Sequence, residues 1–155
     1  LDNQVVEVEL GEPFYVMENV KIEKIIGNYI NSGAKHFVYN QLNQWVNDYS
    51  LELEMKNIRN HSLFAPEGIN VNYYKIIGKN TIEVKTYEKG IEKIMKSCAS
   101  GSFACAYDYS KKNNINGKIK VLNDGGISQI TFSENYKKNK FCAVASIEYQ
   151  SKIEI

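Results

Sequence analysis

Cys98-Ala99-Ser100-Gly101-Ser102-Phe103-Ala104-Cys105-Ala106-Tyr107 is the stretch on which the reading of this chain turns. It is small and weakly polar on every side, with no charge before Asp108. A helix without a charged face is buried on most sides, and its small residues let neighbouring backbone come close. Ahead of it stands Tyr87-Glu88-Lys89-Gly90, separated from Cys98 by seven residues. A cysteine that opens a helix sits among unpaired N–H groups, at the positive end of the macrodipole, and both favour the thiolate. The N–H groups of Ala99, Ser100 and Gly101 form an anion site suited to a carboxylate. A thiolate beside such a cradle can remove a proton from the carbon next to the carboxylate, which needs neither a metal nor a nucleophilic triad. The same residues also fit an inert assignment, because a cysteine among small residues is commonly a small buried apolar group.

Outward from this segment, the pattern changes to strands. Val5 to Leu10 alternates mildly and stops at Gly11-Glu12-Pro13. Lys21 to Asn31 reads as a strand around Ile25 and Ile26, Ser32-Gly33-Ala34-Lys35 as a loop, and His36 to Tyr39 as a second strand. Leu51, Met55 and Ile58 fall on one face of a helix over Asp48 to Asn60, with Asp48 or Ser50 as its N-cap. Gly68 to Glu88 reads as a hairpin turning at Gly78-Lys79-Asn80. Lys118 to Leu122 and Ile127 to Phe132 flank the turn Asn123-Asp124-Gly125-Gly126, and Phe141 to Tyr149 closes the chain. About eight strands, one surface helix and one buried helix predict a single α+β domain over residues 1–155.

Composition excludes several classes of function. Nineteen basic and 18 acidic residues leave a net charge of +1, so no large field points to nucleic acid or an anionic membrane. Trp45 and the eleven tyrosines are not interleaved with basic residues as a nucleic-acid face requires. No apolar run approaches the ~20 residues of a membrane helix. Cys98, Cys105 and Cys142 are odd in number and lack a CxxC or Cys/His spacing, which argues against disulfides or zinc and suits a reducing cytoplasm. Cys105 and Cys142 read as core. Arg59 is the one arginine. A substrate carboxylate must therefore be held by lysine, backbone amides or neutral side chains, unless another chain supplies a guanidinium. The start, Leu1-Asp2-Asn3-Gln4, reads as cut from something longer.

In order and in one register, the landmarks resemble the second half of the diaminopimelate epimerase family. They are Gly11-Glu12-Pro13, Gly33-Ala34-Lys35-His36, Phe64-Ala65-Pro66-Glu67-Gly68-Ile69-Asn70-Val71-Asn72-Tyr73, Thr86-Tyr87-Glu88-Lys89-Gly90-Ile91-Glu92, Ser97-Cys98-Ala99-Ser100-Gly101 and Gly125-Gly126. The resemblance implies a diaminopimelate epimerase-like half, a mixed, mostly antiparallel sheet wrapped round a central buried helix. It also implies a missing N-terminal domain with a second cysteine, a small amino-acid substrate, no pyridoxal phosphate or other cofactor and no metal. By the same resemblance the whole enzyme converts LL- to meso-diaminopimelate for lysine and peptidoglycan precursors, and a homodimer is compatible with it. Cys98 is then the acid/base thiol, Glu88 contacts the substrate amino group, and Asn70 and Lys89 serve the distal end. Ala99, Ser100 and Gly101 offer amides to the α-carboxylate. His36 reads first as a loop or strand-end histidine that orders the backbone near the cleft, with substrate contact as the alternative.

Four segments depart from the family pattern. Ala34 stands for an asparagine, Lys89 for an arginine, Ala99-Ser100 for Gly-Thr, and Ala145-Ser146-Ile147 for Gly-Pro-Ala. Losing one hydrogen bond to a charged group costs roughly 1.5–3 kcal/mol, about tenfold to a hundredfold in affinity. Ala34 and Lys89 therefore leave room for a racemase of another amino acid, and the four departures together for a binding domain that kept the fold without the chemistry. A related isomerase with the same paired-domain fold is disfavoured by the thiol, which such relatives generally do not keep.

Overall fold

The computed structural model describes residues 4–42 and 44–145. Its strands are β1 (Gln4–Leu10), β2 (Phe14–Ile22), β3 (Ile25–Asn31), β4 (Lys35–Asn40), β5 (Asn70–Gly78), β6 (Thr81–Glu88), β7 (Lys93–Met95), β8 (Gly117–Asn123), β9 (Gly126–Phe132) and β10 (Asn139–Ala145). Two helices, α1 (Asp48–Arg59) and α2 (Ala99–Asn113), and one 3-10 turn (Ser62–Phe64) complete the described elements. All ten strands share one sheet in the order β1-β10-β9-β8-β6-β5-β4-β3-β2, with β7 on β6. Of the described pairings only β4–β5 and β6–β8 are parallel; the others are antiparallel. The class is α+β, as expected.

Each parallel pair is joined through a helix, α1 between β4 and β5 and α2 between β6 and β8. The two crossovers step across the sheet the same way, but β4 and β6 run in opposite senses. One common handedness therefore sends the two helices to opposite faces. The cores agree. Leu51, Met55 and Ile58 of α1 pack with Phe37, Val71, Tyr73 and Tyr87. Phe103, Ala104 and Ala106 of α2 pack with Val38, Tyr74, Ile82, Val84, Ile119 and Ile130. Alternation along a strand explains the division, since neighbouring residues point to opposite faces.

Two sequence expectations need correction, and one short strand is additional to them. The segment read as one strand from Lys21 is two: β2 runs from Phe14 to Ile22, and a turn at Glu23-Lys24 leads into β3. Register shifts between Tyr15 and Met17 and between Met17 and Val20 break the alternation that would have marked β2. β7 is only three residues long and exists by pairing with β6. The N-cap of α1 is Asn47, whose Oδ1 accepts from the Ser50 N–H at 2.9 Å, rather than Asp48 or Ser50. The last strand is described as far as Ala145; its expected continuation to Tyr149, with Ser146-Ile147, lies outside the described residues.

Burial of α2 continues past Asp108 to Ser110. Asp108 is fully buried because four donors reach its carboxylate: Tyr15 OH (3.0 Å), Asn28 Nδ2 (2.6 Å), Tyr74 OH (2.9 Å) and Lys112 Nζ (2.8 Å). Cys105 lies in the core, where burial pushes its thiol pKa up, as its core assignment requires. Cys142 is half-buried on β10. Among the described residues no helix is long and apolar enough to cross a membrane.

Candidate active site

β4 and β5 begin, and β6 ends, at one end of the sheet. His36 is in register with Asn70, and Val71 with Tyr87, so Asn70 and Glu88 meet at that end. By alternation His36, Asn70 and Glu88 share a face with Val38, Asn72, Tyr74 and Thr86, the face that α2 covers. α2 starts above the same end. A Cβ on Gly101 would collide with Asn72 Oδ1 and crowd Thr86 Oγ1, so only glycine lets the helix lie this close. Cys98, three residues earlier, is about one turn nearer the strand ends.

Cys98 is the N-cap of α2, with extended backbone at φ −148°. Its side chain makes no capping bond, and Sγ lies 3.5 Å from Ser100 Oγ. The thiol is half-buried, and its side-chain partner among the described residues is that Ser100 hydroxyl. Ser102 N is the first to find a helical acceptor, Cys98 O at 2.9 Å. Ala99, Ser100 and Gly101 therefore carry the N–H groups a helix leaves unpaired at its start. Ser32 Oγ donates to Ser100 O at 2.9 Å and fastens the β3–β4 turn, with Ala34, against that start.

Behind these groups runs a buried polar chain that spacing could not reveal. Thr86 Oγ1 donates to Asn72 Oδ1 at 2.9 Å, so the other end of the amide, Nδ2, faces His36 Nδ1 at 2.8 Å as a donor. Nδ1 then accepts, and the neutral ring carries its proton on Nε2. His36 is fully buried; burial lowers its pKa to about 4 against the opposing pull of the Asn72 bond. Its Nε2 has no partner among the described residues.

Asn70 is braced from both sides. Its Nδ2 donates to Lys35 O at 3.3 Å, and its Oδ1 accepts from Lys89 N at 2.9 Å. Lys35 Nζ meets Glu67 at 3.0 Å, and that ion pair, with Lys89 nearby, holds the Glu67 carboxyl below the usual range. The start of α2 thus lies against Asn72 and Thr86, two positions inside the strand end that carries His36, Asn70 and Glu88, with Lys89 next in the chain. Ala99 is exposed at the helix start. Among the described residues no group of three or more His, Cys, Asp or Glu side chains gathers as metal ligands. A groove of about 380 Å³ opens beside Ser97, between Asn123, Ser128, Phe141 and Val144.

Known proteins share both the sequence and the fold. The diaminopimelate epimerase of Aquifex aeolicus is 36% identical over 139 residues, covering 86% of this chain and 49% of that protein. The diaminopimelate epimerase of Archaeoglobus fulgidus is 30% identical over 141 residues, 84% of this chain and 49% of that protein. This chain is homologous to the diaminopimelate epimerases. It spans about half the length of these curated relatives. No family model matches the chain. Among solved structures, a putative phenazine biosynthesis PhzC/PhzF protein from Clostridium difficile superposes with a TM-score of 0.59 at 13% identity, covering 97% of this chain and 58% of that one. A PhzF family protein from Enterococcus faecalis gives a TM-score of 0.52 at 11% identity, covering 83% of this chain and 42% of that one. These neighbours establish the fold that the epimerase family shares with them, and the isomerase-fold character of this domain rests on the homologues together with that fold.

Proposed function

We propose that residues 1–155 are the C-terminal half, bearing one of the two acid/base cysteines, of an amino-acid epimerase that works without pyridoxal phosphate, with diaminopimelate as substrate. The observation that carries this reading is the position of Cys98. A half-buried thiol without a capping bond stands at the start of a buried helix whose Gly101 lies against Asn72 and Thr86, two positions inside the strand ends bearing Asn70 and Glu88. The unpaired N–H groups of Ala99, Ser100 and Gly101 hold the α-carboxylate and stabilise the negative charge that develops as the α-proton leaves. Glu88 accepts from the α-ammonium. Cys98 as thiolate takes the α-proton, and a second thiol, outside these residues, delivers one to the opposite face. One C–H bond breaks and one forms, and the two thiols end with their protonation states exchanged. Lys89, and Asn70 within its brace, face the distal end of the substrate.

The test is exchange of the substrate α-hydrogen for deuterium by the intact protein in heavy water, with diaminopimelate beside other amino acids. Cys98→Ala removes the base, and the expected loss is at least about a thousandfold, the order reached when a group essential to proton transfer is deleted. Exchange at the wild-type rate in that variant would overturn the assignment. A second reading is motivated by the four departures from the family pattern taken together: a domain that binds an amino acid without epimerising it. Saturable binding of diaminopimelate by the intact protein with no α-exchange is the outcome that selects it.

A further inference from the structure

Arg59, the last residue of α1, lies on the face opposite Cys98, yet it touches both chain segments that lead into the site. Its side chain is only 15% exposed, and Nε donates to Glu92 Oε1 at 2.8 Å. The guanidinium also fills the space above Gly68, where a Cβ would run into it. Gly68 has φ +69° and donates to Phe64 O at 2.7 Å; two residues later comes Asn70.

Glu92 organises the turn that leaves β6. Its Oε1 accepts from Gly90 N at 3.0 Å as well as from Arg59, Tyr87 OH approaches Oε2 at 3.4 Å, and its own N–H donates to Glu88 O at 2.8 Å. Gly90 (φ +92°) and Glu92 (φ +60°) are both left-handed, a shape that a non-glycine residue keeps only when its surroundings hold it. The Gly90 N–H first, and Arg59 after it, keep the Glu92 carboxyl below the usual range despite burial. From this turn Lys89 N reaches Asn70 Oδ1 at 2.9 Å. The contacts close a ring: Arg59 to Glu92, Glu92 to the Glu88–Gly90 turn, Lys89 to Asn70, and Asn70 back through Gly68 to Arg59.

We propose that Arg59 is a positioning residue, which acts through Glu92 to set the turn carrying Glu88 and Lys89 against Asn70. The inference rests on the epimerase reading for its kinetic consequence and on the ring alone for its structural one. Arg59 touches no reacting atom, so its loss loosens the grip on the amino group and distal end more than the proton transfer at Cys98. A lysine restores the charge but not the planar group that reaches Glu92 and Gly68 together.

The experiment uses the intact protein with Arg59→Met, Arg59→Lys and Glu92→Gln, reading amide hydrogen exchange over residues 86–93 and the kinetics of α-deuterium exchange. Amides of the turn are expected to exchange about tenfold or more faster in Arg59→Met and Glu92→Gln, with core strands unchanged. KM is expected to rise roughly tenfold or more while kcat stays within about threefold, and Arg59→Lys to recover part of both effects. Wild-type turn protection and wild-type KM in both Arg59→Met and Glu92→Gln overturn the proposal, as does a fall in kcat at constant KM. If Arg59→Met does not fold, Glu92→Gln, which keeps shape and removes charge, is read by the same two measurements and decides in the same way. A loosened turn in a protein whose wild type exchanges no α-hydrogen supports the positioning of the turn and overturns the epimerase reading instead.

Discussion

An imidazole that stays neutral until about pH 4, as His36 does under burial, links protonation to folding. In the unfolded chain the ring titrates near 6.5, so between roughly pH 6.5 and 4 the unfolded state binds more protons and the folded state loses stability as pH falls. The contribution is complete above pH 6.5 and amounts to about 3 kcal/mol at full extent, set by the gap between those two values. Urea unfolding at pH 7 and pH 4.5 should therefore show a steeper loss for the wild type than for His36→Gln; parallel losses would remove His36 as the cause. Gly101→Ala tests the other end of the same chain. Its methyl would drive into Asn72 Oδ1, which Thr86 and His36 hold in place. We expect a loss of about 1–3 kcal/mol, the usual cost of overpacking, measured by thermal denaturation. A neutral Gly101→Ala would mean the helix start can lift away from the sheet. At this scale the sequence exposes Cys98 and Gly101, whose small neighbours and helix position leave a local mark. It does not expose the His36–Asn72–Thr86 chain, because positions 36, 72 and 86 become neighbours only through strand register.

Helix α2 is held at both ends by different means. At its start the backbone lies close on Gly101; farther along, Asp108 gathers four donors from β2, β3, β5 and its own helix. Asp108→Ala would strand two tyrosine hydroxyls and an asparagine amide in the interior. The expected cost is about 3–5 kcal/mol, that of breaking a buried charged network from one side. Tyr74→Phe removes a single donor and should cost about 1–2 kcal/mol. Chemical denaturation of both variants checks the ranking, and equal costs would contradict it. Asp108 is visible in the sequence only as the first charge on the helix, and a charge normally marks the solvent side. Its burial depends on Tyr15 and Asn28, residues from strands whose pairing no local pattern states. β2 itself is hidden for a related reason. Its two register shifts, with Asn19 at φ +54°, change the phase of alternation, so a period-two pattern never lasts long enough to register. α1 is legible because Leu51, Met55 and Ile58 bury one face while the rest meets water.

At the scale of the whole molecule, the opposition of the two helices explains why the middle of the chain reads as nearly continuous apolar strand. β4, β5 and β6 are covered on both faces, so Phe37-Val38 and Tyr73-Tyr74 place one residue in each core. The class can be read from such runs, but the order of strands cannot, since it depends on two crossovers. That arrangement also has a consequence for how the chain is made. The α1 face can be sealed by residues already synthesised once β6 is complete. On the other face Ile30, Val38, Tyr74, Ile82 and Val84 wait for Phe103 to Tyr109, and Ile119 to Phe132 follow later still. During synthesis from the N-terminus, the nascent sheet is therefore apolar and uncovered on one side. In that interval it is open to aggregation or to a chaperone. Helix α2, which opens at Cys98, is the piece that begins to cover this face, so the candidate site and the shielding of the nascent sheet are built in the same step.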